Sequence, residues 1–245
     1  KEEDGVEQAT ALDVVGRIPV PKRSIGNSGP SWALPDQAEA FLALAAQLRH
    51  RGIGSGLQTV MIASAGPGEG KTSTTLGTGA ALARLGYRVI AVEADLRNPT
   101  FARQVRLPEG QGAQGLVGML NGFSVLEREL VDLDPISGLA PTAKRKDRAS
   151  FGIVRSGPDV ADPHRLFSSP HLPSVLGALH ARADVVILDT PPLGDASDAL
   201  TLAPFVDTAV FVVRLGKSRE DLVARALDEL RGVGIDPAGV VVVGD

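Results

Sequence analysis

Short, almost uniformly apolar runs recur along the chain. Val60-Met61-Ile62-Ala63, Val89-Ile90-Ala91-Val92, Phe151-Gly152-Ile153-Val154 and Val185-Val186-Ile187-Leu188 read as strands, as do Thr208 to Val213 and Gly239 to Val243. Between them, helical character is read at Pro35 to His50, Ser73 to Leu85, Gly115 to Leu120, Ser174 to Arg182, Asp198 to Ala203 and Arg219 to Arg231. The first of these is amphipathic, with Ala38, Phe41, Leu42, Ala45 and Leu48 on a rough 3–4 spacing; it either covers the sheet or serves assembly. Strands with no polar face must be covered on both sides. The alternation therefore predicts an α/β fold of three layers, a mostly parallel central sheet with helices on both faces. In such sheets ligands bind at the carboxyl ends of the strands.

Residues 1–31 fall outside this pattern. They are acidic at first and then rich in Pro, Gly and Ser, with Val15-Gly16-Arg17-Ile18-Pro19-Val20-Pro21 as the one apolar patch, and suit an extended linker that docks locally. The expected domain is then 32–245. Composition narrows the chemistry further. The chain of 245 residues has no cysteine, which removes disulfides and thiolate metal sites. A net charge of −4 speaks against a nucleic-acid partner, which calls for a basic face. No apolar run is long enough to span a bilayer, no signal peptide is present, and the chain opens on Lys1, so a fragment of a longer protein is expected.

The stretch Ser64-Ala65-Gly66-Pro67-Gly68-Glu69-Gly70-Lys71-Thr72-Ser73 lies between a strand and a helix. Strand, glycine-rich turn, Gly-Lys-Thr and helix make the layout of a phosphate-binding P-loop, although Ala65 stands where the pattern has its first glycine. Small residues let backbone N–H groups curl around a phosphate, and the helix N-terminus adds its dipole. Lys71 is expected to reach the β- and γ-phosphates, and the Thr72 hydroxyl to ligate Mg²⁺.

Two acidic stretches follow. Glu93-Ala94-Asp95-Leu96-Arg97-Asn98-Pro99 ends the second strand, and alternation places Glu93 and Asp95 on one face there, suited to Mg²⁺ and to accepting a proton. Val185 to Leu188 runs into Asp189-Thr190-Pro191-Pro192, an apolar strand ending in an acid that can hold the Mg²⁺ shell. The basic run Lys144-Arg145-Lys146-Asp147-Arg148 reads as a solvated loop, with contact to anionic lipid or nucleotide as the alternative.

Taken together, Ser64 to Thr72 (Walker A), Val89 to Pro99 (Walker A′) and Val185 to Pro192 with Asp195 and Asp198 (Walker B) resemble the cytoplasmic domain of bacterial tyrosine kinases, the P-loop proteins of capsule and exopolysaccharide chain-length control. Gly115-Leu116 to Gly122, the Gly157 to Leu166 loop and the closing strand extend the resemblance to residues 12–245. It implies a P-loop NTPase fold and an ATP-Mg²⁺-dependent tyrosine autokinase. Lys71 and Thr72 would serve phosphates and Mg²⁺, Glu93 and Asp95 metal binding and activation of the tyrosine hydroxyl, and Asp189 the Mg²⁺ shell, with Arg97 part of the second motif. The implied setting is the cytoplasmic face of the bacterial inner membrane. The lead-in would follow a membrane-anchored chain-length regulator, fused upstream or separate; the acceptor tyrosine would come in cis or in trans, and the domain would form homo-oligomers.

The chain departs from that family in three places. Glu93 stands for its aspartate, Leu42 and Ala45 follow Glu39 where its assembly helix has arginines, and Tyr87 is the single tyrosine. A nucleotide-switched assembly module that is inactive as a kinase is the alternative. A partition or septum-site ATPase of the ParA/MinD type is a third; those proteins carry a further P-loop lysine where this chain has Gly66.

Overall fold

The computed structural model describes residues 2–20, 31–105, 107, 110–136, 149–194 and 198–244. The basic run 144–148 and Asp195 lie outside them. The first half comprises α1 (Glu2–Thr10), β1 (Val14–Ile18), α2 (Pro35–His50), β2 (Thr59–Ser64), α3 (Lys71–Arg84) and β3 (Arg88–Glu93). Short elements follow: α4 (Phe101–Gln104), α5 (Gly115–Leu120), α6 (Leu126–Glu129) and β4 (Val131–Leu133). The rest is β5 (Ser150–Val154), α7 (Pro163–Phe167), α8 (Leu172–Arg182), β6 (Val185–Asp189), α9 (Asp198–Thr201), β7 (Thr208–Arg214), α10 (Glu220–Gly232) and β8 (Pro237–Val243).

The strands form one sheet in the order β1-β8-β7-β2-β6-β3-β5-β4. Neighbours are parallel throughout except β4, which runs antiparallel to β5 at the edge. Side chains alternate across it as a pleat requires. Met61, Val92, Leu188 and Phe211 enter one core with α5, α8 and α10; Val60, Ile62, Ala91 and Val210 enter another with α2 and α3. Two buried cores on opposite faces are the three layers expected, and the apolar central strands are apolar because neither face meets water.

Close packing of α2 on α3 depends on a small residue. A Cβ on Gly77 would sit 2.4 Å from the ring of Phe41, so the glycine is the hollow into which the ring fits. Lone glycines weaken a helix by about 1 kcal/mol, a cost this contact offsets through burial of an aromatic ring.

The lead-in differs from the extended linker that composition suggests. Residues 2–10 are helical, and β1 is a strand of the sheet, paired in parallel with β8 from Val14↔Val240 to Ile18↔Val243. Val15 and Ile18 are buried. Val15 to Ile18 of the apolar patch therefore belong to the domain's own sheet. Periodicity also passed over α4, α6, α7 and β4, whose three to five residues are too few to show a period.

Candidate functional site: a P-loop cavity at the sheet's carboxyl end

β2 delivers the glycine-rich loop to the middle of the sheet. Its last residue, Ser64, donates from Oγ to the Gly66 carbonyl (2.9 Å), while Lys71 Nζ donates to the same Oγ (3.0 Å). Lys71, 7% exposed, is thus folded back along its own loop. Gly68 (φ 67°) and Gly70 (φ 110°) take left-handed conformations that a side chain would strain, which lets the loop close before α3 begins.

Glu69 braces the loop from inside. It is 3% exposed; one oxygen accepts from the Gly66 N–H (2.9 Å) and the other from the Ser218 hydroxyl (2.5 Å). Arg214, at the end of β7, donates from Nη1 to the Gly68 carbonyl (3.1 Å), and its N–H donates to Ser218 Oγ (2.8 Å). The loop after β7 therefore holds the P-loop at two points.

A cavity of about 520 Å³ opens over this loop. Pro67, Gly68, Gly70, Lys71, Thr72 and Ser73 line one side, and Asp95 faces them from the end of β3. Asp189 ends the adjacent β6 and lies behind Thr72, whose hydroxyl donates to Oδ2 (2.8 Å); the Thr75 hydroxyl donates to Oδ1 (3.3 Å). Burial pushes the Asp189 carboxyl up to about 7, against the opposing effects of the Thr72 hydrogen bond and the Lys71 charge. Among the described residues no group of three or more acids or histidines forms a metal cage.

Asp95 accepts from the backbone N–H groups of Arg97 (3.3 Å) and Asn98 (3.0 Å), which fixes its carboxylate at the cavity wall. Arg97 turns away to Asp198, its Nε donating to Oδ2 at 2.5 Å and Nη2 to Oδ1 at 3.3 Å. This pair ties the loop after β3 to the start of α9, and the bonded carboxylate raises the guanidinium pKa above its ordinary value.

Glu93 is where the expectation fails. The predicted shared face with Asp95 does not become a paired carboxylate site. Glu93 is 1% exposed, and its oxygens accept from the N–H groups of Thr100, Phe101 and Ser156. A side chain one methylene longer than aspartate's places its carboxylate on these backbone donors.

Sequence reading also passed over Arg214, Thr100 and Gln104, which line the cavity. Arg214 had a signal, since it ends an apolar strand in a fold whose ligands gather at such ends. Thr100 and Gln104 had none. Tyr87 precedes β3 at the other end of that strand, its ring packed against Gly54.

Comparison with known proteins agrees with this geometry. Residues 60–242 match the CobQ/CobB/MinD/ParA nucleotide binding domain. The chain is 29% identical over 193 residues to tyrosine-protein kinase YwqD of Bacillus subtilis, covering 79% of this chain and 75% of that protein. Against the solved VpsO kinase domain it is 30% identical with a TM-score of 0.69, covering 85% of this chain and 94% of the other. The kinase domain of the Escherichia coli tyrosine kinase ETK, 22% identical, shares the fold with a TM-score of 0.80 over 100% of this chain and 93% of its own. The chain belongs to the CobQ/CobB/MinD/ParA nucleotide-binding domain family, among the bacterial tyrosine kinases that its three motifs resemble.

Proposed function

We propose that this chain is an ATP- and Mg²⁺-dependent protein tyrosine autokinase domain that regulates bacterial polysaccharide synthesis and export. One observation carries the reading: the P-loop and Asp95 line a single cavity, with Asp189 hydrogen-bonded to Thr72 behind it, at the carboxyl ends of three adjacent strands. Phosphoryl transfer asks the protein for position and charge neutralisation more than for covalent chemistry, and these residues supply both.

In this reading the N–H groups of residues 68–73 and the Lys71 ammonium hold the β- and γ-phosphates. Thr72, Asp95 and Asp189 offer hard oxygen donors, which fits Mg²⁺, a cation that takes few protein ligands beside phosphate and water. The bound Mg²⁺ would neutralise charge on the phosphates. Asp95 receives the acceptor phenol's proton as the new P–O bond forms and the bond to the β-phosphate breaks, leaving ADP. The domain would work at the cytoplasmic face of the inner membrane beside a membrane-anchored chain-length regulator, fused or separate. The acceptor tyrosine would be supplied in cis or in trans, and the domain would self-associate.

Following the γ-phosphate of labelled ATP with Mg²⁺ tests this, with Lys71→Ala as control. Label on tyrosine that disappears in the control is the expected result. A second reading, a nucleotide-switched assembly module without kinase activity, is favoured by one observation: the chain's single tyrosine, Tyr87, sits at the far end of β3 from Asp95. Binding of ATP with no label on any tyrosine would make it the better account.

A further inference from the structure

Glu93 holds a position that phosphate chemistry leaves unexplained. Its carboxylate accepts from the N–H groups of Thr100 and Phe101 on Oε1, both at 2.5 Å, and from that of Ser156 on Oε2 at 3.0 Å. Three backbone donors compensate the buried carboxylate and join the end of β3 to the start of α4 and to the residues after β5.

The consequence appears one residue along, at the Thr100 side chain. Thr100 Oγ1 lies 2.8 Å from Thr72 Oγ1. With Asp189 ionised, as a magnesium ligand is, Thr72 gives its one hydroxyl proton to Asp189 Oδ2, so Thr100 is the donor in this contact. With its proton directed to Asp189 and one lone pair taken by Thr100, the Thr72 hydroxyl cannot rotate freely. One lone pair remains for a cation.

We infer that Glu93 is a positioning residue: by anchoring the Thr100 backbone it holds the Thr100 hydroxyl on Thr72 and so orients Thr72 as a magnesium ligand. The inference rests on the nucleotide-site reading above. Magnesium tolerates little departure from octahedral geometry, and groups that orient its ligands contribute strongly to affinity. Glu93 would then act on the metal through two threonines without meeting metal or acceptor itself.

The test titrates Mg²⁺ into the protein with ADP and reads binding by calorimetry, with no turnover required. Thr100→Val keeps the side chain's shape and removes the donor. It should raise the half-saturating Mg²⁺ concentration about tenfold, at the low end for an outer-shell partner. Thr100→Ser, which keeps the donor, should bind as the parent does. Glu93→Asp should behave like Thr100→Val, because the shorter arm falls short of the three N–H groups. ADP affinity without Mg²⁺ should stay unchanged in all three. Unaltered Mg²⁺ dependence in Thr100→Val overturns the inference, whatever Glu93→Asp does. An equal loss of ADP affinity with and without Mg²⁺ also overturns it, marking these residues as general supports of the loop. If the parent protein itself binds no ADP with Mg²⁺, the nucleotide site falls and the inference with it.

Discussion

Thr72 and Asp189 are joined by a 2.8 Å hydrogen bond between the first turn of α3 and the end of β6. Asp189 is 1% exposed, and burial raises its carboxyl to about 7 despite that bond. An unfolded aspartate titrates near ~3.9. Between these values the folded chain binds the proton that the unfolded chain has released, so stability falls as pH rises from about 4 to about 7. Asp189→Asn removes the charge and keeps an acceptor for Thr72. The ligand-free variant should be more stable than the parent above pH 7, by about 1–3 kcal/mol, and should match it near pH 4. Urea unfolding at pH 4.5 and pH 8 measures the difference; equal stability at pH 8 would contradict a raised Asp189.

Lys71 should matter for phosphate and little for folding. Its ammonium lies against Ser64 Oγ in the loop itself. Lys71→Ala should therefore leave the unfolding midpoint within a few degrees of the parent and lower phosphoryl transfer by about 100- to 1,000-fold, the usual cost of one preorganised donor. Initial rates with labelled ATP, read beside a thermal melt, separate the two effects.

The brace inside the P-loop should respond in graded fashion. Ser218→Ala removes one donor to Glu69 and should weaken ADP binding by about 1 kcal/mol. Glu69→Ala leaves the Gly66 N–H without its acceptor and should cost about 1–3 kcal/mol in loop order, seen as weaker ADP binding and a lower melting temperature. In the double variant the effects should fall short of additivity, since both act through one contact. Full additivity would mean that Ser218 and Glu69 act separately.

Most of the fold could be read in the sequence because apolar strands leave little choice. Val185 to Leu188 has no polar face, so both its sides had to be covered, and the P-loop could only lie between β2 and α3. What escaped was short or relational. The three residues of β4 show no period, and β1 becomes a strand only because β8 is there to pair with it. At the site, Lys71, Thr72 and Asp95 line the cavity and Asp189 backs Thr72. Glu93 does neither, because strand alternation gives the direction of a side chain but not its reach. Its targets, the N–H groups of Thr100 and Ser156, come from segments far apart in the chain, and no local pattern records them.

Tyr87 offers the cleanest separation of packing from chemistry. β3 spans six residues, about 20 Å, between Tyr87 at one end and Asp95 beyond the other. No side chain bridges that distance within one domain. The ring packs against Gly54, where a Cβ would come within 2.5 Å of it, so its contribution is to shape. Tyr87→Phe should preserve that contact and change stability by about 0.5 kcal/mol or less. It should also leave transfer of label from ATP to an added tyrosine-containing copolymer at the parent rate. If copolymer labelling is lost while the variant stays folded, Tyr87 takes part in the chemistry, through a second copy that brings it to the cavity. If labelling persists, Tyr87 is dispensable for transfer, and its packing role accounts for its place in the turn.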